Sequence, residues 1–409
     1  MKRTSVCLVH GPESRKRLAT MKYRILTLNN ISARGLERLP RDRYEVASGL
    51  ERPDAILVRS ADMHGTAIPD TVRAVGRAGA GVNNIPVAEL SRRGIPVFNA
   101  PGANANAVKE LVLASLFLAV RNVCQAWAFA RSLRGDDQAI DEAVEKGKKA
   151  FVGFELPGRT LGVIGLGAVG VEVANSAAAL GMSVLGYDPQ ITVQRAWQLS
   201  SSVEQALSLD DLFARSDVVT VHVPLNDHTR RLVNEARLRL MKKGGVLLNF
   251  SRAGIVDDPA VIAALDAGHL HGYVCDFPTN LLKDHPKIVA LPHLGASTGE
   301  AEENCAIMAA DQVRDFLENG NIRNSVNYPE AVLSRVPGTT RLAIANSNVP
   351  NMVGQISTCL ADARSNIADL LNKSRGEYAY TLIDVDGAMD EDLLGRLRAI
   401  AGVLSARLV

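Results

Sequence analysis

One segment constrains this chain more than any other: Leu161-Gly-Val-Ile-Gly165-Leu-Gly167-Ala-Val-Gly170. It sets three glycines in G-x-G-x-x-G spacing between an apolar strand pattern, Leu161 to Ile164, and a helical stretch, Val171 to Leu180. A second strand, Ser183 to Tyr187, then ends at Asp188, 18 residues after the last glycine. A glycine triplet alone is a weak signal, but strand, turn, helix and acid in this order make a βαβ dinucleotide-binding unit. Gly165 permits the tight turn, Gly167 lets the backbone approach a pyrophosphate, and Gly170 allows close helix packing, with Ala168 and Val169 between them in the cofactor-binding turn. The helix N-terminus adds free N–H groups and a positive dipole. Asp188 would accept hydrogen bonds from an adenosine ribose, and its charge repels a 2′-phosphate, which favours NAD over NADP.

From Tyr23 onward, β-rich runs alternate with helical ones. Ile56 to Val58, Ile95 to Phe98, Val218 to Val223, Val246 to Phe250 and Ile288 to Leu291 read as strands, and Val108 to Val123 as a helix. The alternation predicts parallel sheets covered by helices. Ser132 to Gly158 is charged and turn-rich and reads as a connection outside either sheet. After Tyr328-Pro329 and Pro337-Gly338 the order changes to strand, helix, strand, strand, helix, strand between Arg341 and Val409, a ferredoxin-like arrangement. The expected fold class is therefore α/β: two Rossmann-like doubly wound domains followed by a C-terminal βαββαβ domain.

Composition excludes several other classes. Lys and Arg number 46 against 44 Asp and Glu, too balanced for a nucleic-acid partner. The five cysteines are scattered without a C-x-x-C pair, so neither a disulfide framework nor a metal site is expected, and a reducing cytoplasm fits. The most apolar run, Leu111 to Val120, falls short of the ~18 residues that a membrane span needs. Residues 1–20 carry five basic residues and one acid, Glu13, faintly like a transit peptide. The blander expectation is a disordered extension, because Met21 opens a clean strand pattern.

Four further places could carry chemistry. His293 follows a strand and precedes a helix, and its imidazole suits acid/base work near neutral pH. Arg252 follows the strand Val246 to Leu248, where a guanidinium can clamp a carboxylate. Arg59 and Ser60 end the strand Ile56 to Val58, and Gly79, Ala80 and Gly81 form a turn whose N–H groups could nest an anion. Asn104, ahead of the helix from Val108, is by itself more simply a helix cap than a ligand contact. Strand ends are where open α/β sheets bind ligands.

Arg77 to Asn84, Asn99-Ala-Pro101, Gly165 to Gly170, Ser251-Arg-Ala-Gly254 and Pro292-His-Leu-Gly-Ala-Ser-Thr298 together resemble the D-isomer-specific 2-hydroxyacid dehydrogenases, over essentially all of residues 21–409. The C-terminal unit resembles an ACT domain. The resemblance implies a discontinuous substrate-binding domain, residues 21–105 and 287–328, an inserted NAD-binding domain, 106–286, and an ACT-like regulatory domain, 338–409, with the active site in the cleft between the first two. It implies Arg252 as the substrate-orienting arginine and His293 as the acid/base. His222, Val223, Pro224, Thr229, Ser251, Asp276, Gly295 and Ala296 would line NAD. Arg59 and Ser60 would meet a substrate phosphate, and Gly79, Ala80, Gly81 and Asn104 the rest of the substrate.

The implied reaction is NAD-dependent oxidation of 3-phospho-D-glycerate to 3-phosphohydroxypyruvate, which opens phosphorylated L-serine biosynthesis. Asn346, Asn348 and Asn366 would bind an L-serine effector between paired domains of a homodimer or homotetramer, and Asn351 stands where a glycine often follows the proline. The chain departs from the family at Asp276-Phe-Pro-Thr279, where a glutamate usually occupies the position of Thr279 and pairs with the histidine. Its loss removes a charge-assisted hydrogen bond of ~1.5 to 3 kcal/mol. Asp276, Asp284 and Glu300 are the candidates to replace it. Two alternatives stay open: another D-2-hydroxyacid dehydrogenase or reductase, and a non-catalytic NAD-sensing scaffold.

Overall fold

Five short parallel strands, β1 (Tyr23–Leu28), β2 (Tyr44–Ala47), β3 (Ala55–Val58), β4 (Ala74–Arg77) and β5 (Val97–Phe98), open the computed structural model, which describes residues 22–409. Residues 1–20, expected as an extension, lie outside the described residues. The strands pair in the order β2-β1-β3-β4-β5. β3 is buried at every position, as an apolar run must be when both faces of a parallel sheet are covered. The long helix Gly299–Asn319 covers one face, setting Ala306, Ala309 and Val313 among Ile25, Leu57 and Phe98. These elements belong to the first of two compact units, Met1–Ala103 with Glu302–Val409; the second is Asn104–Ala301.

The second unit holds seven parallel strands: β6 (Thr160–Ile164), β7 (Ser183–Tyr187), β8 (Val203–Gln205), β9 (Val218–Val221), β10 (Gly245–Asn249), β11 (Leu270–Cys275) and β12 (Ile288–Ala290). Their order, β12-β11-β10-β9-β6-β7-β8, reverses direction between β6 and β9. That is the switch point of a doubly wound sheet, where ligands bind beyond the strand ends. Ile288–Ala290, expected with the substrate-binding segment from 287, pairs with β11 instead, and the second unit continues to Ala301. Ser132 to Gly158 lies outside either sheet, but it contains the helix Asp137–Gly147, started by the Asp136 carboxylate accepting from the Ala139 N–H at 2.9 Å. No single described helix is long and apolar enough to cross a membrane; Ala105–Val120 with Val123–Ser132 passes by length and composition only as a pair bent by 62°. The apolar character of Ala105–Val120 has a simpler cause: Val108, Val112, Leu116 and Val120 are buried in the core under the sheet.

The last stretch of the first unit is β13 (Thr339–Ser347), helix Met352–Asp362, β14 (Ile367–Arg375), β15 (Tyr378–Asp386), helix Glu391–Arg398 and β16 (Val403–Leu408). The sheet is antiparallel, in the order β14-β15-β13-β16. Its two-residue alternation sorts side chains to two different cores. Leu342, Ile344 and Ile383 pack under the two helices. Ala343, Ala345 and Leu382 join the core of the β1–β5 lobe. Asn351 adopts the left-handed backbone that its turn requires, with φ 62°.

Candidate active site

The glycine turn lies between β6 and the helix Ala168–Ala179. Gly165 has φ 90°, and a Cβ there would sit 2.6 Å from the His222 carbonyl oxygen, so the turns after β6 and β9 touch backbone to backbone. A Cβ on Gly170 would lie 1.9 Å from the Gly165 oxygen, whereas one on Gly167 meets nothing within 4 Å. Close packing at the outer glycines with open space at the middle one is what a pyrophosphate on the helix N-terminus needs. Asp188, at the end of β7, accepts from the N–H groups of Leu166 (2.8 Å) and Gln190 (2.9 Å). A carboxylate offers about four acceptor directions, so it ties this turn to β7 and keeps capacity for ribose hydroxyls.

Beyond β9, His222 Nε2 lies 2.9 Å from Thr220 Oγ1, and burial pushes the imidazole down to about 3. His222 is therefore neutral at physiological pH and offers shape and one hydrogen bond, not charge. Thr229 Oγ1 donates to the Pro224 carbonyl at 2.6 Å and accepts from the Asn226 N–H at 2.8 Å, which closes the loop carrying Val223 and Pro224. Beyond β10, the buried Asn249 organises the next turn: its Oδ1 accepts from the Ser251 N–H (3.1 Å) and its Nδ2 donates to the Arg252 carbonyl (3.0 Å). Ser251 Oγ donates to the Val221 carbonyl at 2.6 Å. This leaves Arg252 exposed, its Nη1 donating to the Ser251 carbonyl at 2.7 Å. Asn249 was not among the candidates. Its only sequence signal is a polar residue closing an otherwise apolar strand.

Beyond β11, Asp276 is buried and its two oxygens accept from the N–H groups of Leu294 and Gly295, both at 2.7 Å. It thereby fixes the turn in which His293 takes φ 58°, a backbone state that costs a non-glycine residue energy unless its surroundings enforce it. The exposed imidazole stands against the Phe277 ring, centroids 5.2 Å apart. Asp276 spends its two oxygens on those N–H groups and makes no hydrogen bond to the imidazole, and Asp284 is ion-paired with Lys283. Among the described residues of this unit no carboxylate pairs with the imidazole. Thr279 leaves its buried Oγ1 without a partner among the described residues. Ala296 follows in the same turn, which the Ser297 N–H closes by donating to the Leu294 carbonyl at 2.9 Å.

In the first unit, Arg59 and Ser60 follow β3 and the Gly79–Gly81 turn follows β4, so both lie at strand carboxyl ends. Arg77 Nε donates to the Arg59 carbonyl at 3.1 Å, Asn84 Nδ2 to the Ala61 carbonyl at 2.7 Å and Asn99 Nδ2 to the Ala80 carbonyl at 2.6 Å. These bonds hold the loops side by side. The Arg59 guanidinium is ion-paired with Glu302, a pairing not visible in the sequence. The Gly79 N–H donates to the Arg77 carbonyl at 2.8 Å, so the turn's capacity for an anion rests on Ala80 and Gly81. Asn104 occupies the cap position of the helix Ala105–Val120, yet its side chain makes no cap bond, so the simple cap reading does not hold.

In the C-terminal sheet, Asn346 is buried with its Oδ1 unpartnered among the described residues, and Asn348 Nδ2 donates to the Gly376 carbonyl at 3.0 Å. Asn366 pairs with Asp386 at 2.7 Å. The register places Asn346 opposite Ala379 and Thr339 opposite Asp386. Asn366 is thus at the far end of the sheet, and one chain does not bring the three asparagines together.

A doubly wound sheet with a glycine turn at its switch point, and an imidazole and a guanidinium on loops at the same strand ends, defines a nicotinamide-dependent oxidoreductase. The chain belongs to the D-isomer-specific 2-hydroxyacid dehydrogenase family, whose NAD-binding domain matches residues 117–295. The D-3-phosphoglycerate dehydrogenase of Haemophilus influenzae is 33% identical over 350 residues, 82% of this chain and 81% of that protein. That of Escherichia coli K12 is 34% identical over 349 residues, with the same two coverages of 82% and 81%. The NAD+-bound 3-phosphoglycerate dehydrogenase of Entamoeba histolytica shares the fold, with a TM-score of 0.58, 24% identity and coverage of 75% of this chain and 99% of that one. The protein is an NAD-dependent oxidoreductase.

Proposed function

We propose that this enzyme oxidises 3-phospho-D-glycerate to 3-phosphohydroxypyruvate in the cytoplasm, as a homo-oligomer. The observation that carries the substrate choice is Arg59, a guanidinium at a strand carboxyl end beside a turn with open N–H groups, in a chain whose relatives bear the name of that activity. NAD, when bound, accepts the hydride. The remaining chemistry belongs to this chain. His293 accepts the C2 hydroxyl proton as the C2 hydride leaves, so that the C–H and O–H bonds break and a C=O bond forms. Arg252 orients the substrate carboxylate, with Ala80 and Gly81 in support, and Arg59 with Ser60 takes the phosphate. The ACT-like C-terminal unit and Arg59 with Ser60 argue against the 2-hydroxyacid reductase alternative; the scaffold alternative rests only on Thr279.

An NADH absorbance assay with 3-phospho-D-glycerate tests the reading directly. Arg59→Ala should raise KM for the phosphorylated acid by roughly 10- to 100-fold, the worth of a hydrogen bond to a charged group, and change KM for D-glycerate by less than about threefold. Equal effects on both would assign another substrate.

We propose further that L-serine binds where two ACT-like modules meet, with Asn346 and Asn348 from one copy and Asn366 from another, and lowers activity. The unpartnered Asn346 Oδ1 supports this, since a buried acceptor calls for a donor such as an amino group. Calorimetry on the intact protein should show serine binding that Asn346→Ala abolishes; absence of heat with the native chain rejects it.

A further inference from the structure

Where the C-terminal sheet packs on the β1–β5 lobe, within the first unit, the surface carries an open groove of about 660 Å³. Four arginines line it: Arg73 just before β4, Arg93 after the helix Val87–Arg92, Arg398 at the end of the helix Glu391–Arg398, and Arg407 on β16. Only two acids, Asp70 and Glu391, line it with them. Both acids are largely solvent-exposed, and each holds one arginine, Asp70 to Arg93 at 3.2 Å and Glu391 to Arg398 at 2.8 Å. Arg73 reaches Asp54 at 3.5 Å.

Arg407 differs from the others. Its Nη1 and Nη2 donate to the carbonyls of Leu317 and Phe316, near the end of the long helix, and its guanidinium lies 4.4 Å from the Phe316 ring centroid. Among the described residues no carboxylate is ion-paired with it. Three of the four arginines are thus paired with carboxylates, and the guanidinium of Arg407 is the one held by carbonyls instead. Burial, against the opposing pull of Tyr380 and with the like charge of Arg73 adding to it, pushes the Arg407 guanidinium below its ordinary range. Two guanidiniums that repel each other beside an open groove are stabilised by an anion that accepts from both, and a phosphoryl group matches the planar fork of arginine. Phe316, Leu394 and Leu408 supply apolar walls.

We propose that this groove is a binding site for a small dianion bearing a phosphoryl group, held by Arg73 and Arg407. It is separate from the Arg59 position, and its existence does not depend on the dehydrogenase substrate assigned above. Because Arg407 also holds the last carbonyls of Gly299–Asn319, occupancy is tied to the seating of that helix.

The test is calorimetry of inorganic phosphate binding to the full-length Arg59→Ala chain at low salt, which removes the proposed substrate contact. One phosphate per chain should bind, and Arg73→Gln in that background should weaken it tenfold or more, as should raising the salt from 0.02 to about 0.2 M, where screening is strong. Arg73 is partly exposed, so the fold should survive its loss, which an unchanged melting temperature verifies. A parallel titration with 3-phospho-D-glycerate distinguishes a site for free phosphate from one for phosphorylated metabolites. No phosphate binding in the Arg59→Ala chain, or binding indifferent to Arg73→Gln, overturns the proposal. A chain that failed to oxidise 3-phospho-D-glycerate would leave it standing.

Discussion

Replacing His293 by alanine should lower turnover by ~10²- to 10⁴-fold, the range for a lost general acid/base, while NAD affinity stays within about threefold. The structure supports separating the two effects. The turn that carries His293 is held from the main chain, by Asp276 accepting the Leu294 and Gly295 N–H groups at 2.7 Å, so the imidazole can be removed without releasing the loop. Its ring packs against Phe277, and no carboxylate of the same unit fixes it. The one complication is the backbone, since φ 58° is less comfortable for alanine than for histidine. His293→Asn answers it, because asparagine tolerates left-handed geometry well; it should lose as much turnover as the alanine variant. Steady-state NADH formation measures turnover, and quenching of tryptophan fluorescence on NADH titration measures cofactor binding. Turnover within threefold of the native chain in both variants would remove His293 from the chemistry.

The difference between what was legible in the sequence and what was not follows the range of the forces involved. The glycine turn, its flanking strand and helix, and the βαββαβ order of the C-terminal module are written in local periodicity and turn chemistry, which act over a few residues. The Asp276 carboxylate was legible as a residue of the site but not as the anchor of the His293 turn, because that depends on a contact between residues 18 positions apart. The Arg59–Glu302 ion pair spans 243 residues, and no spacing rule reaches that far. The edge strand Ile288–Ala290 was legible as a strand, yet its three residues carry nothing that says which sheet they join. Asn249 was passed over for a related reason: a buried amide at a strand end looks like any polar boundary residue until both of its partners are known.

Breaking the buried pair between Arg341 and Asp384 should be the most destabilising single change in the C-terminal module. Both side chains are fully buried, facing each other across the β13–β15 register. Arg341 Nε and Nη2 donate to the two Asp384 oxygens, each at 2.7 Å. Arg341 Nη1 donates to the carbonyls of Leu333 (2.8 Å) and Asn319 (3.2 Å), and the Val336 N–H donates to Asp384 at 2.9 Å. Removing one partner leaves a charge in the interior, a loss of about 3–5 kcal/mol, whereas replacing both by apolar residues of similar volume is far milder. Arg341→Met should therefore cost more than the double variant with Asp384→Leu. The pH dependence adds a check on sign. Burial alone would push the Asp384 carboxyl up, but the bonds from Arg341 and the Val336 N–H outweigh it and hold it below the usual carboxylate range. A depressed folded value stabilises the native chain above the unfolded value of about 3.9, and the contribution is lost as pH falls through the folded one. In Arg341→Met the bonds and the charge of Arg341 are gone and only the Val336 N–H still opposes burial, so protonation relieves the strain and the variant's deficit should shrink between pH 7 and pH 5. Both tryptophans, Trp127 and Trp197, lie in the other unit, so their fluorescence would not report the loss. Amide hydrogen exchange in β13 and β15 would, with protection falling by roughly 10²- to 10³-fold at neutral pH. Protection within tenfold of native in Arg341→Met would mean that the pair contributes little to holding the module on the lobe.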